Sequence, residues 1–189
     1  MITDLKINAE RKRFYYEKGY WTEKTLGDVW ADRVASHPER TYVSDDQGSS
    51  YTYGEIDDKA ARLAAWLVEQ GVAPGDVVTF QMPTWAEFCI VYVAALKAGA
   101  VMHPLPRNFN DADLVYGMNL VGSRAFICPT KVAKVDFESQ ILSIVDQIPT
   151  LGPVALVDKA APKHSELPTV AEICARYEPI DGGAGGAGG

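Results

Sequence analysis

Acidic and hydroxyl side chains form pairs at three places in the sequence, and such pairs could perform acid–base or nucleophilic chemistry. Aspartates are paired at 45–46 and at 57–58. The first pair falls in a predicted turn and the second at a predicted helix start, where adjacent acids mostly serve solvation and capping. The serine pair at 49–50 is outside any G-x-S-x-G motif, and no histidine and acid are arranged to activate it. The pattern predicts no catalytic constellation.

Cysteine and histidine spacing argues against a metal site and against a disulfide framework. These residues are Cys89, Cys128, Cys174, His37, His103 and His164. The cysteines are odd in number without a C-x-x-C pair, and no histidine has a second ligand at helical spacing. We therefore expect reduced core cysteines in a cytoplasmic protein.

The net charge argues against nucleic acids and anionic membranes as partners. A formal charge of -7 repels phosphate backbones and anionic membranes, so we expect no nucleic-acid partner, although one local basic patch could still bind a phosphate. The first residues lack the apolar stretch of a secretory signal. The most apolar run, 88–96, is too short to span a bilayer and predicts a buried helix instead.

Hydrophobic periodicity predicts an α/β fold. Helices are predicted at 8–18, 26–36, 54–70, 83–99, 111–121, 136–148 and 170–177. Strands are predicted at 41–44, 50–53, 77–81, 100–105, 124–128 and 154–157. From residue 77 onward strands and helices alternate, which indicates a largely parallel sheet flanked by helices on both faces.

Two of these helices carry specific packing expectations. The second should be capped by Thr25 with Asp28 and should bury one apolar side. The members of that side are Leu26, Val29, Trp30, Val34 and the aliphatic stem of Arg33. The third helix should bury a stripe that ends at Val68.

Three parts of the chain are expected from composition. Residues 1–24 would form an N-terminal helical arm, 25–180 the α/β subdomain, and 181–189 a Gly/Ala-rich tail or linker. The tail formally contains G-x-G-x-x-G at Gly183, Gly185 and Gly188. Because no strand precedes it and no helix follows it, we do not interpret it as a dinucleotide site.

Several ordered blocks of sequence resemble the opening of AMP-forming acyl-CoA synthetases and other adenylate-forming enzymes. The blocks are YTYGE (51–55), GVAPGDVV (71–78), QMPTWAEF (81–88) and LKAGAV (96–101). The resemblance runs from about Trp21 to about Tyr177. The PTWxEF segment and the basic helix around 11–13 are most similar to medium-chain and cyclohexanecarboxylate-type ligases.

The resemblance implies a fold, a reaction and its cofactors. The chain would be the first N-terminal subdomain of the adenylate-forming enzyme fold. The parent enzyme would use MgATP to join a carboxylic acid to AMP and would then transfer the acyl group to coenzyme A (CoA). The family's Ser/Thr/Gly-rich phosphate loop and its C-terminal adenylation lysine do not occur in these 189 residues. We therefore expect this chain alone to be inactive and to bind none of these cofactors tightly.

Three basic residues are candidate contacts for the phosphate of CoA, because similar loops in relatives carry positive side chains for that purpose. Arg107 follows the Pro-Leu-Pro segment 104–106, and Lys131 and Lys134 follow the predicted strand 124–128. The alternative for each is an ordinary solvated loop residue. Trp85 and Phe88 could likewise line an acyl tunnel, although their helical spacing favours core packing.

Other functions stay open at this point. A short noncatalytic paralogue could bind a protein or a CoA-like ligand, and a related adenylating enzyme could load a carrier protein or emit light. If the chain is cut from a larger catalytic region, apolar surface is left exposed, and a homodimer is then expected.

Overall fold

A computed structural model describes residues 7–159 and 161–180, and within them the chain is a mixed α/β structure. Its helices are α1 (Ala9–Glu17), α2 (Leu26–Ser36), α3 (Tyr53–Glu69), α4 (Ala86–Lys97), α5 (Asp111–Val121), α6 (Phe137–Ile144) and α7 (Val170–Arg176). Its strands are β1 (Thr41–Ser44), β2 (Ser50–Thr52), β3 (Val77–Phe80), β4 (Val101–Pro104), β5 (Ser123–Pro129), β6 (Lys131–Val132), β7 (Val135–Asp136) and β8 (Val154–Val157).

The central sheet has four strands in the order β4-β3-β5-β8, and every neighbouring pair is parallel. Alternate residues of these strands face opposite sides. Val78, Phe80 and Ile127 belong to a core shared with α3, α4 and α7, whereas Phe126 and Leu156 pack with α5 and α6. The predicted parallel sheet with helices on both faces is confirmed.

The order of the strands creates a topological switch point at the carboxyl edge of the sheet. The chain leaves β3 through α4 toward β4, and it leaves β5 through α6 toward β8 in the opposite direction. Since α4 and α6 lie on opposite faces, the carboxyl ends of β3 and β5 form a topological switch point. In open α/β sheets this is where ligands bind.

Local capping signals set most helix starts. The Thr25 hydroxyl oxygen accepts from the backbone N–H of Asp28 at 3.2 Å, and the Asp28 carboxylate accepts from the backbone N–H of Thr25, as predicted. The same reciprocal arrangement links Thr52 and Glu55. Because that cap begins α3 at Tyr53, the prediction of Tyr53 as the last residue of a strand was wrong.

Two helices are shorter than predicted. α4 starts at Ala86 rather than at Pro83, because Trp85 has an extended backbone as the residue before the helix and the backbone N–H of Ala86 donates to the Asp45 carboxylate at 2.9 Å. α6 ends at Ile144 and tightens into a 3-10 turn over Val145–Gln147. Ile148, the residue before Pro149, is no longer helical, with φ of −124° and ψ of 80°.

The predicted burial of α2 was wrong. Leu26 and Val29 are 53% and 43% exposed, and Trp30 is only partly buried. The helix touches α3 and α4 along one narrow side, where the Trp30 ring packs against Tyr42 and Tyr53. Val68, at the margin of the α3 stripe, is also 49% exposed.

The predicted division into an arm, a subdomain and a tail stays a prediction. α1 occupies the predicted arm, whereas the Gly/Ala-rich segment 181–189 lies outside the described residues. Within the described ranges, no helix combines the length and apolarity that a membrane span requires.

Candidate functional site

The candidate site lies at the carboxyl edge of the sheet and includes the Pro106–Phe109 turn after β4, Thr130 after β5, and the β6–β7 hairpin. We call this set the sheet-end site. Each member directly follows a parallel strand, so the sheet itself places them along one edge. It is the edge that carries the switch point between β3 and β5.

Arg107 stands on the turn after the edge strand β4. The backbone N–H of Phe109 donates to the carbonyl oxygen of Pro106 at 3.2 Å, which closes the turn with Arg107 and Asn108 at its centre. Arg107 is exposed. Within the described residues its guanidinium has no hydrogen-bond or ion-pair partner, so it is free to meet an anion.

Lys131 and Lys134 stand on a hairpin that the sequence did not predict. β6 pairs antiparallel with β7, Lys131 opposite Asp136, which leaves Ala133 and Lys134 as a two-residue turn. Ala133 has φ of +53°, a conformation that favours glycine. Both lysine side chains are exposed. The hairpin therefore presents two exposed cations from one short element.

Topology brings the three predicted cations to one edge of the molecule. Arg107 follows β4 and Lys131 follows β5, and only β3 separates these two strands, which are therefore about 10 Å apart across the sheet. Exposed arginine and lysine donors in such an arrangement can bind oxygens of a phosphate group.

A buried carboxylate holds the loop behind the hairpin. The Glu138 side chain is fully buried and accepts from the backbone N–H groups of His164 at 3.0 Å and Ser165 at 2.7 Å. Burial by itself would raise the pKa of Glu138, but these hydrogen bonds bring it below its ordinary value. Thr130 adds a bond to the carbonyl oxygen of Ala161 at 2.6 Å.

A second buried charge cluster follows β8. Lys159 contacts the carboxylates of Asp45 and Glu87, and its Nζ lies 5.6 Å from the centre of the Trp85 ring. It also lines a cavity of about 140 Å³ with Tyr51. This cluster could not be predicted from local sequence patterns, because its members are far apart along the chain.

The paired aspartates at 45–46 have different roles. Asp45 accepts from three backbone N–H groups, those of Gln47, Ser49 and Ala86, and the last of these begins α4. Capping was predicted for such pairs, but the helix that Asp45 caps is α4, whose first residue, Ala86, comes 41 residues later in the sequence. Asp46 stays exposed.

A hydroxyl and imidazole chain crosses the sheet, but no substrate could reach its hydroxyls. Thr79 lies 3.0 Å from His103 Nδ1 and contacts Ser123, and both hydroxyl residues are fully buried. Burial lowers the pKa of His103. These hydrogen-bonded side chains therefore have a structural role, in which they link β3, β4 and β5.

The cysteines and the two aromatic residues behave as core side chains. All three cysteines are free thiols, and Cys128 is completely buried, which raises its thiol pKa and makes it unreactive. Trp85 is 7% exposed, and Phe88 packs edge-on against Phe80 at 5.3 Å. The core interpretation is the better one for both aromatic residues.

Comparison with known proteins identifies the family. The family model described as "AMP-binding enzyme" matches residues 30–179, which is most of the chain. The chain belongs to the AMP-binding enzyme family. The resemblance inferred from the ordered sequence blocks is thereby confirmed.

Relatives within the AMP-binding family include acyl-CoA and aryl-AMP ligases. The medium-chain fatty-acid–CoA ligase of Escherichia coli (strain K12) is 36% identical over 167 residues, covering 88% of this chain and 30% of the relative. The salicyl-AMP ligase / salicyl-S-ArCP synthetase of Mycobacterium tuberculosis is 28% identical over 172 residues, covering 89% and 30% respectively. The chain thus spans about a third of these relatives and matches their N-terminal part.

Solved structures of AMP-binding relatives share the fold. The apo structure of MbtA from Mycobacterium smegmatis has a TM-score of 0.74 and 27% identity, with 93% of this chain and 32% of that chain covered. The inhibitor-bound N-terminal domain of FACL13 from Mycobacterium tuberculosis has a TM-score of 0.72 and 25% identity, covering 88% and 39%. The predicted place of the chain, in the N-terminal region of this fold, is confirmed.

Proposed function

We propose that the chain is the N-terminal part of an acid–thiol ligase that makes acyl-CoA. In the first step a carboxylate oxygen attacks the α-phosphorus of ATP, pyrophosphate leaves, and an acyl-adenylate forms. In the second step the thiol of CoA attacks the acyl carbon, and AMP leaves. The observation that carries this proposal is the 36% identity over 167 residues to the medium-chain fatty-acid–CoA ligase of Escherichia coli.

Coenzyme A is preferred over a carrier protein as the acyl acceptor for a comparative reason. The identity to the fatty-acid–CoA ligase is 36%, against 28% to the salicyl-AMP ligase over a similar length. The PTWxEF segment, which resembles medium-chain ligases, lies within the matched residues. A carboxylic acid of medium chain length and CoA are therefore the proposed small-molecule partners.

The 189-residue chain alone is proposed to be inactive. Displacement of pyrophosphate needs positive charge and backbone donors aimed at the phosphates, and these groups stabilise the transition state by several kcal/mol. A Ser/Thr/Gly-rich loop with lysine, which would supply them, is absent from the sequence. Within the described residues no three His, Cys, Asp or Glu side chains converge on one point, so we assign no residue of this chain to Mg²⁺ or to ATP.

A direct assay tests the proposal. The pure 189-residue chain and the native protein from its source cells are compared for acid- and CoA-dependent release of pyrophosphate from MgATP. Release by the native protein with none from the chain supports the proposal. Release by the chain alone would refute its inactivity, and no release by the native protein with any carboxylic acid tested would refute the ligase assignment and favour a noncatalytic binding module.

Within the longer enzyme, Arg107, Lys131 and Lys134 are proposed to contact the phosphate on the ribose of CoA's nucleotide. All three are exposed at the carboxyl edge of the sheet, and arginine can grip two phosphate oxygens at once. In the full-length protein, Arg107→Ala should raise KM for CoA at least about tenfold, because hydrogen bonds to charged groups contribute this much.

Two controls separate a phosphate contact from a general defect. Arg33→Ala, which removes an exposed arginine from α2, should leave KM for CoA unchanged. Dephospho-CoA lacks the ribose phosphate, so wild type and Arg107→Ala should use it with the same KM. A tenfold difference that persists with dephospho-CoA would show that Arg107 does not act on that phosphate.

We also propose a cytoplasmic location for the enzyme. All three cysteines are free thiols in the structure, which suits a reducing compartment. Fractionation of the source cells tests this, and recovery of the protein outside the cytoplasmic fraction would contradict it.

A further inference from the structure

The turn that carries Arg107 is held at both ends by glutamine side chains from elsewhere in the fold. Its first residue is Pro106 and its last is Phe109. Gln81 Nε2 donates to the carbonyl oxygen of Pro106 at 2.9 Å, and Gln140 Nε2 lies 3.4 Å from the carbonyl oxygen of Phe109. Arg107 is thus centred between two anchored peptide groups.

Gln81 reaches the turn from the end of β3. Its side chain is completely buried, and its backbone N–H donates to Ile127 in the next strand at 3.0 Å, so its backbone is fixed by the sheet. The carboxamide orientation follows from its partner, because a carbonyl oxygen at Pro106 must be met by the NH₂ group. This places Gln81 Oε1 in the interior.

Gln140 reaches the turn from α6 on the other side. Besides its contact with Phe109, its NH₂ group donates to Asp111 Oδ1 at 2.8 Å, at the first residue of α5. The carboxamide therefore bridges the end of the turn and the start of the helix that follows. Because α6 packs in the core, the position from which Gln140 makes these hydrogen bonds is also fixed by the fold.

Both glutamines leave a buried oxygen unpaired among the described residues, and no other side-chain nitrogen or oxygen there does so. A buried acceptor without a donor costs stability, and an apolar side chain of similar size would avoid that cost. An apolar residue could not supply the NH₂ group. In both glutamines this group donates hydrogen bonds to the segment around Arg107. Without these NH₂ groups the turn would keep its internal bond and the packing of Phe109 against the core of α5 and α6, but the carbonyl groups of Pro106 and Phe109 would lose their side-chain donors.

We propose that Gln81 and Gln140 are positioning residues that fix the Pro106–Phe109 turn, so that Arg107 is presented toward the phosphate of CoA. The inference rests on the proposed contact between Arg107 and CoA. It adds that two residues with no phosphate contact of their own set the affinity for CoA through that arginine. Fixing the turn beforehand lowers the ordering cost that binding would otherwise carry.

The test uses the full-length enzyme with Gln81→Leu, Gln140→Leu and Arg107→Ala, alone and combined. Each glutamine variant should raise KM for CoA by about fivefold, the usual size of one lost hydrogen bond. Acid-dependent ATP–pyrophosphate exchange, which does not involve CoA, should not change. In the Arg107→Ala background neither glutamine substitution should raise KM further, because the residue through which they act is gone.

Hydrogen exchange provides a readout that does not depend on activity. Both glutamine variants should speed amide exchange at 105–112, with the rest of the protein unchanged. Faster exchange over the whole chain would show a general folding defect and overturn the proposal for that variant.

The outcomes separate this inference from the proposed function. If Arg107→Ala raises KM but the glutamine variants do not, or if their effects add in full to that of Arg107→Ala, the positioning role is wrong and the phosphate contact stands. If Arg107→Ala leaves KM for CoA unchanged, the phosphate contact itself fails, and this inference fails with it.

Discussion

Lys159 and Glu87 form a buried ion pair in which Nζ lies 3.1 Å from Oε2. The two side chains are 11% and 13% exposed, and Lys159 also contacts Asp45, whose side chain is 4% exposed. These residues come from the end of β8, the first turn of α4 and the β1–β2 turn. One ammonium group thus ties the small β1–β2 hairpin to the carboxyl edge of the main sheet.

Removing the ammonium group should destabilise the fold. In Lys159→Met, two buried carboxylates lose their cation, and breaking a buried charge cluster in this way costs about 3 kcal/mol. Urea unfolding measures the change. Lys24→Met is the matched control, since its ion pair with Asp32 is more than half exposed and should contribute little to stability. Equal losses in the two variants would contradict the role assigned to Lys159.

Stability should fall in acid partly through Asp45. Burial alone would raise the pKa of this carboxyl, but Lys159 and the backbone N–H groups of Ala86, Ser49 and Gln47 hold it well below its ordinary value of 3.8. The unfolded chain therefore binds a proton at higher pH than the folded one. The stability contributed by Asp45 is fully present above about pH 5 and is lost as the pH falls below about 4.

The variant Asp45→Asn should consequently lose less stability than wild type between about pH 5 and pH 2, although it starts from a lower value at pH 7. Asp46→Asn alters the exposed neighbour in the same turn and should follow the wild-type profile. Urea unfolding over this pH range makes the comparison. Parallel profiles for wild type and Asp45→Asn would show that Asp45 is not responsible.

Replacing the strained hairpin residue Ala133 with glycine should stabilise the fold. Ala133 has φ of +53°, which costs a residue with a Cβ atom about 1 kcal/mol. Ala133→Gly should therefore raise the free energy of unfolding by about 0.5 kcal/mol or more, after the extra unfolded-state entropy of glycine is deducted. Gly75→Ala provides the reverse case, because φ is +89° and no atom lies within 4 Å of the added Cβ. A loss of stability in Ala133→Gly would contradict the assigned strain.

We propose that the isolated chain forms a homodimer through α5. Tyr116 and Leu120 stand one turn apart on this helix and are 68% and 70% exposed, and they line a shallow groove with Val115. A second copy of the chain is the proposed occupant, because exposed apolar side chains at this spacing favour association. Light scattering at rising concentration should show a dimer, and Leu120→Lys should remain monomeric. A wild-type monomer at high concentration would rule this surface out.

Features governed by neighbours in the sequence were predictable. The cap of α2 by Thr25, the bounds of α5 and of β8, and the alternation of strands and helices all follow from local signals, and the structure agrees with them. The ordered blocks that resemble adenylate-forming enzymes were equally visible, because they are a property of the sequence alone.

Features governed by distant residues were not predictable. The start of α4 depends on Asp45, 41 residues earlier, and the Arg107 turn depends on Gln140, 31 residues after Phe109. The exposure of Leu26 and Val29 depends on which elements reach α2, and periodicity carries no such information. At the site, sequence identified three candidate cations, but the side chains that hold their loops became evident only from the fold.

The most direct test of the central claim is the intact mass of the native protein from its source cells. If the chain is the N-terminal third of a ligase, the native protein should have a mass about three times the 20.6 kDa of this chain. A native mass near 20.6 kDa would contradict the account, since a protein of that size contains neither the phosphate loop nor the adenylation lysine that the proposed reaction requires.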